Sequence, residues 1–282
     1  MLFLHSEALT IDMMALIIIP ILILVLIILY LFLIAPLNKK DMKKYQNLNY
    51  AHRGLHNSER AENSMSAFRA AVEAGYGIEL DVRLSKDGQL VVFHDDNLWR
   101  MCSVQKKVID CTYEELCAYP LLNTDQYIPL FLEVLDYVNE SVPLLIEVKA
   151  YKNHIDVVKS LKKHMKDYTG SYAVQSFHPE VVKWYAKNDP AIARGLLATV
   201  HNSKKGALPL HRKLFACTLL LSFWCRPDFI SYNRKYADTI LPFKIIIRLY
   251  RTRCAGWTFK NKKPINEAKS IFSAYIFDSF IP

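Results

Sequence analysis

Two carboxylates, Glu79 and Asp81, stand one residue apart in the stretch 77–95, GIELDVRLSKDGQLVVFHD. Residues i and i+2 of a strand project from one face, so an extended backbone here presents both acids together. The stretch then turns at Asp87-Gly88 and returns to His94. Asp-Gly between apolar runs predicts a two-residue type I′ hairpin loop. In that register Lys86 opposes Gln89 and Asp81 opposes His94, which brings an imidazole to the carboxylates. Glu147 and Lys149 repeat the i, i+2 spacing in LLIEVK, while His52-Arg53 and Glu62-Asn63 lie in and after an earlier short run, NYAHRG.

These residue types specify a chemistry. Glu79, Asp81 and Glu147 form an oxygen-rich set suited to a hard divalent cation, Mg²⁺ or Ca²⁺, and not to zinc. Glu62 is a candidate fourth metal ligand. His52 and His94 beside such a site suit general acid–base catalysis, and Arg53 and Lys149 offer positive charge to a phosphoryl group. The combination fits metal-assisted cleavage of a phosphate ester. Trp257 is placed to cover the organic part of the substrate. Asp278 is open between a site role and a structural ion pair. Singly, each residue has an ordinary explanation in a turn or a salt bridge. Jointly, so many charges among apolar strands would be too costly to bury without a purpose.

The elements that must position them follow from periodicity. Strands are expected to begin near Tyr50, Ile78, Leu144, Tyr172, Ala193, Phe229, Ala255 and Tyr275, mostly separated by helical pattern. The Asp-Gly turn is too short for a parallel crossover, so residues 90–93 are an antiparallel return and not a ninth member of the series. Eight strand–helix units predict an α/β fold, a TIM (β/α)8 barrel, over residues 49–282. A small insertion after the second strand, about 96–143, carries a capping-box pattern at Thr112-x-x-Glu115 and a helix at 130–139. No glycine-rich phosphate loop follows the first strand, which argues against an open dinucleotide-binding sheet.

The N-terminal part has a separate character. After a tail at 1–12, residues 13–38 contain no charged side chain, a run longer than the roughly 20 residues a helix needs to cross a bilayer. The tail has Glu7 and Asp12 and no lysine or arginine, unlike the basic start of a cleavable signal peptide. Lys39, Lys40, Lys43 and Lys44 follow in a basic linker at 39–48. The positive-inside rule then predicts a single-pass anchor in the cell membrane, with the catalytic domain cytoplasmic. A second apolar run, 214–224, is too short to span; it is expected as a buried helix or as an interfacial membrane patch. The chain has 36 basic and 27 acidic residues, a net charge of +9, which suits an anionic partner. With no zinc-finger spacing, recognition helix or aromatic–basic signature, nucleic acid is not expected as that partner. The six cysteines show no Cys-x-x-Cys pair and are expected as free thiols.

Ordered along the chain, His52-Arg53-Gly54, Glu62-Asn63-Ser64, Glu79-x-Asp81-Val82, Lys86-Asp87-Gly88, His94-Asp95 and Glu147-Val148-Lys149 resemble the motif series of the glycerophosphodiester phosphodiesterases. Gln175-Ser176-Phe177 and Trp257-Thr258 are similar to its later motifs. The resemblance implies a TIM barrel that hydrolyses glycerophosphodiesters to glycerol 3-phosphate and an alcohol. It implies His52 and His94 as the acid–base pair, Glu79, Asp81 and Glu147 as metal ligands, and Arg53 and Lys149 as phosphate contacts. The chain departs from the family pattern at Ala61, Ser64 and Phe259-Lys260. The apolar segments raise two alternatives: a lysophospholipase D acting on membrane lysolipids, or a non-catalytic protein that binds headgroups at the membrane.

Overall fold

The structure is a computed structural model, and it describes residues 2–35, 45, 48–122, 124–149, 153–199, 218–237 and 239–282. Eight parallel strands form the frame: β1 (Leu48–His52), β2 (Gly77–Leu84), β4 (Leu144–Val148), β5 (Tyr172–Ser176), β6 (Ala193–Ala198), β7 (Phe229–Asn233), β8 (Cys254–Phe259) and β9 (Ala274–Phe277). Each pairs with the next, β9 pairs with β1, and the β1–β2 pairing closes the circle, as expected for a TIM barrel. β3 (Leu90–Val92) runs antiparallel along β2 outside the closed set.

Helices return the chain from the C-terminal ends of the strands to their starts. They include α2 (Met65–Glu73), α5 (Phe131–Val138), α6 (His154–His164), α7 (Pro179–Asn188), α8 (Leu221–Cys225), α9 (Arg234–Ala237), α10 (Leu241–Arg248) and α11 (Lys262–Glu267). The insertion contributes α3 (Trp99–Cys102) and α4 (Tyr113–Cys117). The predicted capping box is formed: Thr112 Oγ1 accepts from the Glu115 N–H at 3.3 Å, and Glu115 Oε2 accepts from the Thr112 N–H at 2.9 Å. Strand alternation divides the packing. Ile78, Leu80 and Val82 of β2 face the helices, in one cluster with Phe68, Val134 and Val157. Tyr45, Tyr50, Leu145, Phe229 and Ile276 fill the barrel below the site.

Gly195 belongs to that lower layer. A Cβ added there would collide with the Phe229 ring, which lies across the position. Gly195→Ala is therefore expected to destabilise the domain by about 1–3 kcal/mol through overpacking. Denaturant unfolding, read as a shift in midpoint at constant m-value, checks it.

Three expectations are corrected. The hairpin loop holds three residues and not two: the Ser85 N–H donates to the Gln89 carbonyl at 3.0 Å, and Val82 pairs with Val92. Gly88 has φ +79° while Asp87 does not adopt positive φ, so the turn is not type I′. Ser85 explains the choice, because its hydroxyl bonds Asp87 at 2.5 Å and accepts from the Gln89 N–H at 2.9 Å. The register therefore shifts by one residue, and Asp81 opposes Phe93, whose N–H donates to the Asp81 carbonyl at 2.9 Å. The N-terminal helix α1 (Leu2–Ile34) begins earlier than residue 13, since nothing in the tail breaks it. In the run 214–224, the described part is no continuous helix, because Leu219 has φ +58° and only α8 follows. Residues 36–44 and 46–47 of the linker and residues 200–217 lie outside the described residues. The described cysteines are free, as expected.

Candidate active site

The site lies at the C-terminal ends of β1, β2 and β4. Parallel register sets His52 beside Glu79 and Asp81 beside Glu147. Glu79, Asp81 and Glu147 are 2%, 1% and 6% exposed, and each offers an oxygen within 4.8 Å of the others. Burial and then the neighbouring carboxylates Asp81 and Glu147 hold Glu79 well above the ordinary carboxylate range. Burial also raises Glu147, against the pull of Lys149. For Asp81 burial acts in the same direction but is outweighed. Lys149, His94, Arg53 and the Asn63 amide keep it well below its usual value.

Two cations neutralise part of this cluster. Lys149 Nζ lies 2.6 Å from Glu147 and 3.3 Å from Asp81, and these two acids keep it charged against the effect of burial. Arg53 Nε is 3.6 Å from Asp81, while its backbone N–H donates to Glu79 at 3.1 Å. Arg53 (φ +56°) and Asn63 (φ +54°) both take the left-handed conformation and are joined by an Asn63 N–H bond to the Arg53 carbonyl at 2.8 Å. Non-glycine residues in that region carry strain that clusters at functional loops. Here the distortion turns the Asn63 amide onto Asp81 at 2.9 Å, leaving Ser64 to cap α2 through the Ala67 N–H.

Three carboxylates against two cations leave one formal negative charge in a buried space. A divalent cation with a phosphodiester monoanion would bring it to neutrality. The donor set is all oxygen, as hard cations require. Asn63 Oδ1 and Gln175 Oε1 border it, buried and accepting no hydrogen bond. The residues therefore fit a hard divalent cation, and Glu79, Asp81 and Glu147 are the group that would hold it. Glu62 stands apart from this group. Its oxygens receive Arg53 Nη1 at 2.6 Å and Arg100 Nη1 and Nη2 at 2.9 and 2.6 Å. In the structure Glu62 anchors two arginines and lies outside the Glu79–Asp81–Glu147 group.

The two histidines flank the cluster, each oriented by an acid. His94 Nδ1 is 2.6 Å from Asp95 Oδ1, and Asp95 is itself fixed by Arg100 Nε at 2.6 Å. His94 reaches the site even though the hairpin register is not the expected one. The strand ends at Val92, and the Arg83 guanidinium grips the His94 carbonyl at 2.6 and 3.0 Å. His52 Nδ1 lies 3.5 Å from Asp278 Oδ2, and His56 Nε2 lies 3.0 Å from Asp278 Oδ1. Burial is the main cause that lowers the His52 pKa, opposed by Asp278. Trp257 stands edge-on to Phe177, ring centroids 5.7 Å apart, and Lys149 lies 5.9 Å over Phe177, so an aromatic wall borders the phosphate-facing cation.

Asn63, Gln175, Asp95 and Arg100 are site residues for which the residue types alone gave no role, and Asp278, left open in the sequence, lies between His52 and His56. Gln175 has a visible signal, since it stands near the end of β5 in register with Glu147. Asp278→Asn is expected to lower kcat by about 10-fold or more, by analogy with losses at orienting partners. Removing its negative charge also removes a stabiliser of protonated His52. The pH–rate limb owed to His52 should then move to lower pH, a shift that purely structural damage would not produce.

Comparison with known proteins gives the frame a family. The model of the glycerophosphoryl diester phosphodiesterase family matches residues 52–225. A glycerophosphodiester phosphodiesterase of Bacillus altitudinis is 33% identical over 161 residues, covering 52% of this chain and 65% of that protein. A lysophospholipase D of Rattus norvegicus is 35% identical over 146 residues, covering 47% and 46%. The chain thus spans less than two thirds of the length of these curated relatives. Among solved structures, an Oleispira antarctica phosphodiesterase in complex with the product sn-glycerol-3-phosphate superposes with TM-score 0.68 at 18% identity, covering 84% of this chain and 95% of that one. A glycerophosphodiester phosphodiesterase from Thermotoga maritima gives 0.63 at 24% identity, covering 82% and 93%. With the family model matching more than half of its length, the chain belongs to the glycerophosphoryl diester phosphodiesterase family.

Proposed function

We propose that the protein is a membrane-anchored, metal-dependent phosphodiesterase that cleaves glycerophosphodiesters to glycerol 3-phosphate and an alcohol. The observation that carries the reading is the buried Glu79–Asp81–Glu147 cluster, flanked by two acid-paired histidines and two cations at one end of the barrel. A divalent cation held by the three carboxylates would supply positive charge against the phosphoryl oxygens. Lys149 and Arg53 hold the remaining phosphoryl charge, with Lys149 exchanging part of its contact to Glu147 for the substrate. One histidine takes a proton from the attacking oxygen, and the other gives one to the departing alcohol. Asp278 and Asp95 keep Nδ1 of each ring engaged, so Nε2 is the atom each turns to the substrate. The Phe177–Trp257 wall contacts the organic part.

The anchor is part of this reading. Within α1, residues Leu16–Ile34 have a mean hydropathy of 3.5 and are long and apolar enough to cross a membrane. A location in the cell membrane with the barrel on the cytoplasmic side follows from the lysines after it. A second reading, cleavage of membrane lysolipids, is favoured by that helix and by the lysophospholipase D relative.

The test is a product assay of the full chain in detergent, with glycerophosphocholine and lysophosphatidylcholine as parallel substrates. Release of glycerol 3-phosphate from the first supports the main reading, and faster release of choline from the second supports the lysolipid reading. Turnover of neither, with Mg²⁺ or Ca²⁺ present, contradicts both.

A further inference from the structure

The last turn of α1 is packed onto the barrel wall, and its contacts give the helix a direction. Every barrel strand runs toward the catalytic end, so α8 and α10 run away from it. Tyr30 Oη donates to the Thr218 carbonyl at 2.9 Å, just before α8, and the Phe32 ring meets Phe223 within α8 at 6.2 Å. Later positions in α1 thus meet later positions in the descending segment. Tyr250, just beyond the lower end of α10, donates to the Leu31 carbonyl at 2.7 Å. Ile34 is fully buried in the core. Beyond it, Tyr45 joins the layer at the bottom of the barrel and bonds the Tyr172 carbonyl at 2.6 Å. The last turn of α1 thus descends the wall, and Tyr45, at the bottom of the barrel, precedes the start of β1.

Followed backwards, α1 therefore leaves the wall toward the catalytic end. The large apolar side chains between 16 and 29 are 49–73% exposed. On the same sector the rim of the mouth is apolar and basic. Leu241 at the start of α10 is 67% exposed and Phe177 after β5 is 43% exposed. Lys235 on α9 and Lys260 and Lys262 after β8 are exposed at the same end of the barrel. Exposed lysines at this rim are attracted to the negative surface of an anionic leaflet.

We propose that this sector is a lipid-docking face: α1 holds the barrel with the β7–β8 rim of the catalytic mouth against an anionic bilayer, so that substrate enters from the membrane surface. The proposal rests on the reading that α1 spans a membrane and deepens it. It assigns Leu241, Lys235, Lys260 and Lys262 to the interface, and it makes a phosphodiester still embedded in lipid the substrate class that the mouth meets first.

The experiment uses the full chain in phosphatidylcholine vesicles containing phosphatidylserine. A fluorescent amino acid replaces Leu241, Lys260 or Lys269, one at a time, and headgroup spin-labelled lipid is the quencher. Lys269 is exposed and lies between α11 and the start of β9, at the opposite end of the barrel. Several-fold stronger quenching at 241 and 260 than at 269 is expected. Equal or stronger quenching at 269, or quenching at none of the three, overturns the docking face. Alkaline carbonate extraction of the same vesicles separates the two levels. Release of the chain contradicts the spanning helix and the docking face together. Retention with the wrong quenching pattern contradicts the docking face alone. Neither measurement depends on turnover.

Discussion

Replacing His94 by alanine is expected to lower kcat on a glycerophosphodiester by about 10²–10⁴-fold, the usual contribution of a positioned acid or base. The side chain is 30% exposed, so its removal leaves no large cavity and the fold should persist. What is lost is a group fixed by a chain of contacts. Arg100 holds Asp95 and Asp95 holds Nδ1 at 2.6 Å, while Arg83 grips the His94 carbonyl. The ring stands close enough to Asp81 and Glu147 to lower the pKa of both. His52→Ala should have an effect of similar size, with some added loss of stability because His52 is more buried. If the two act on one proton-transfer sequence, the double variant should be little worse than the worse single one, since residues acting as a unit are not additive. Steady-state kinetics of the two singles and the double check this. Additive losses would separate the roles.

Glu79→Gln is the second large effect, and its two consequences have opposite signs. The carboxylate is 2% exposed and faces Asp81 and Glu147, so burial and like charge both disfavour its ionised form. Gln keeps the shape and an acceptor for the Arg53 N–H that now bonds Glu79 at 3.1 Å. Without metal, the variant should therefore unfold at the same or a higher denaturant concentration than wild type. With metal, the order should reverse. Loss of one charged ligand should weaken cation binding by at least about 10–100-fold, the range known even for outer-shell partners. The stabilisation that bound metal gives the folded state should fall with it. Paired unfolding curves with EDTA and with saturating Mg²⁺ or Ca²⁺ read both signs. A variant destabilised under both conditions would mean that Glu79 holds the fold and not a cation.

Much of this arrangement was legible in the sequence, for reasons that differ from residue to residue. The strands were readable because each is a short apolar run bounded by a helix-period pattern, and a barrel repeats that unit. Glu79, Asp81 and Glu147 were readable because strand alternation is strict and parallel register brings strand ends together. The hairpin turn was misread because Asp87-Gly88 carries the type I′ signal, and the competing Ser85 hydroxyl bonds that favour the longer loop are a tertiary detail. His94 was nevertheless placed near the cluster, since the chain bends past Val92 instead of continuing the strand. The arginine contacts of Glu62 were not legible because a carboxylate in that loop looks the same whether it meets a metal or an arginine. Arg100, one of those partners, sits 38 positions away in an insertion with no strong pattern. The partnership of Asp278 with His52 and His56 joins the two ends of the barrel domain and depends on closure between β1 and β9. No local signal carries it. The direction of α1 along the wall is likewise a matter of tertiary contacts alone.

The central claim is that this chain cleaves glycerophosphodiesters with a divalent cation held by Glu79, Asp81 and Glu147. The most direct measurement follows glycerophosphocholine by ³¹P NMR with the full chain after EDTA treatment, then after restoring Mg²⁺ or Ca²⁺. The account predicts no turnover in the stripped protein and appearance of the glycerol 3-phosphate resonance once metal is returned, with no such recovery in Glu79→Gln at the same metal concentration. Undiminished turnover in EDTA, or full recovery in Glu79→Gln, would contradict it.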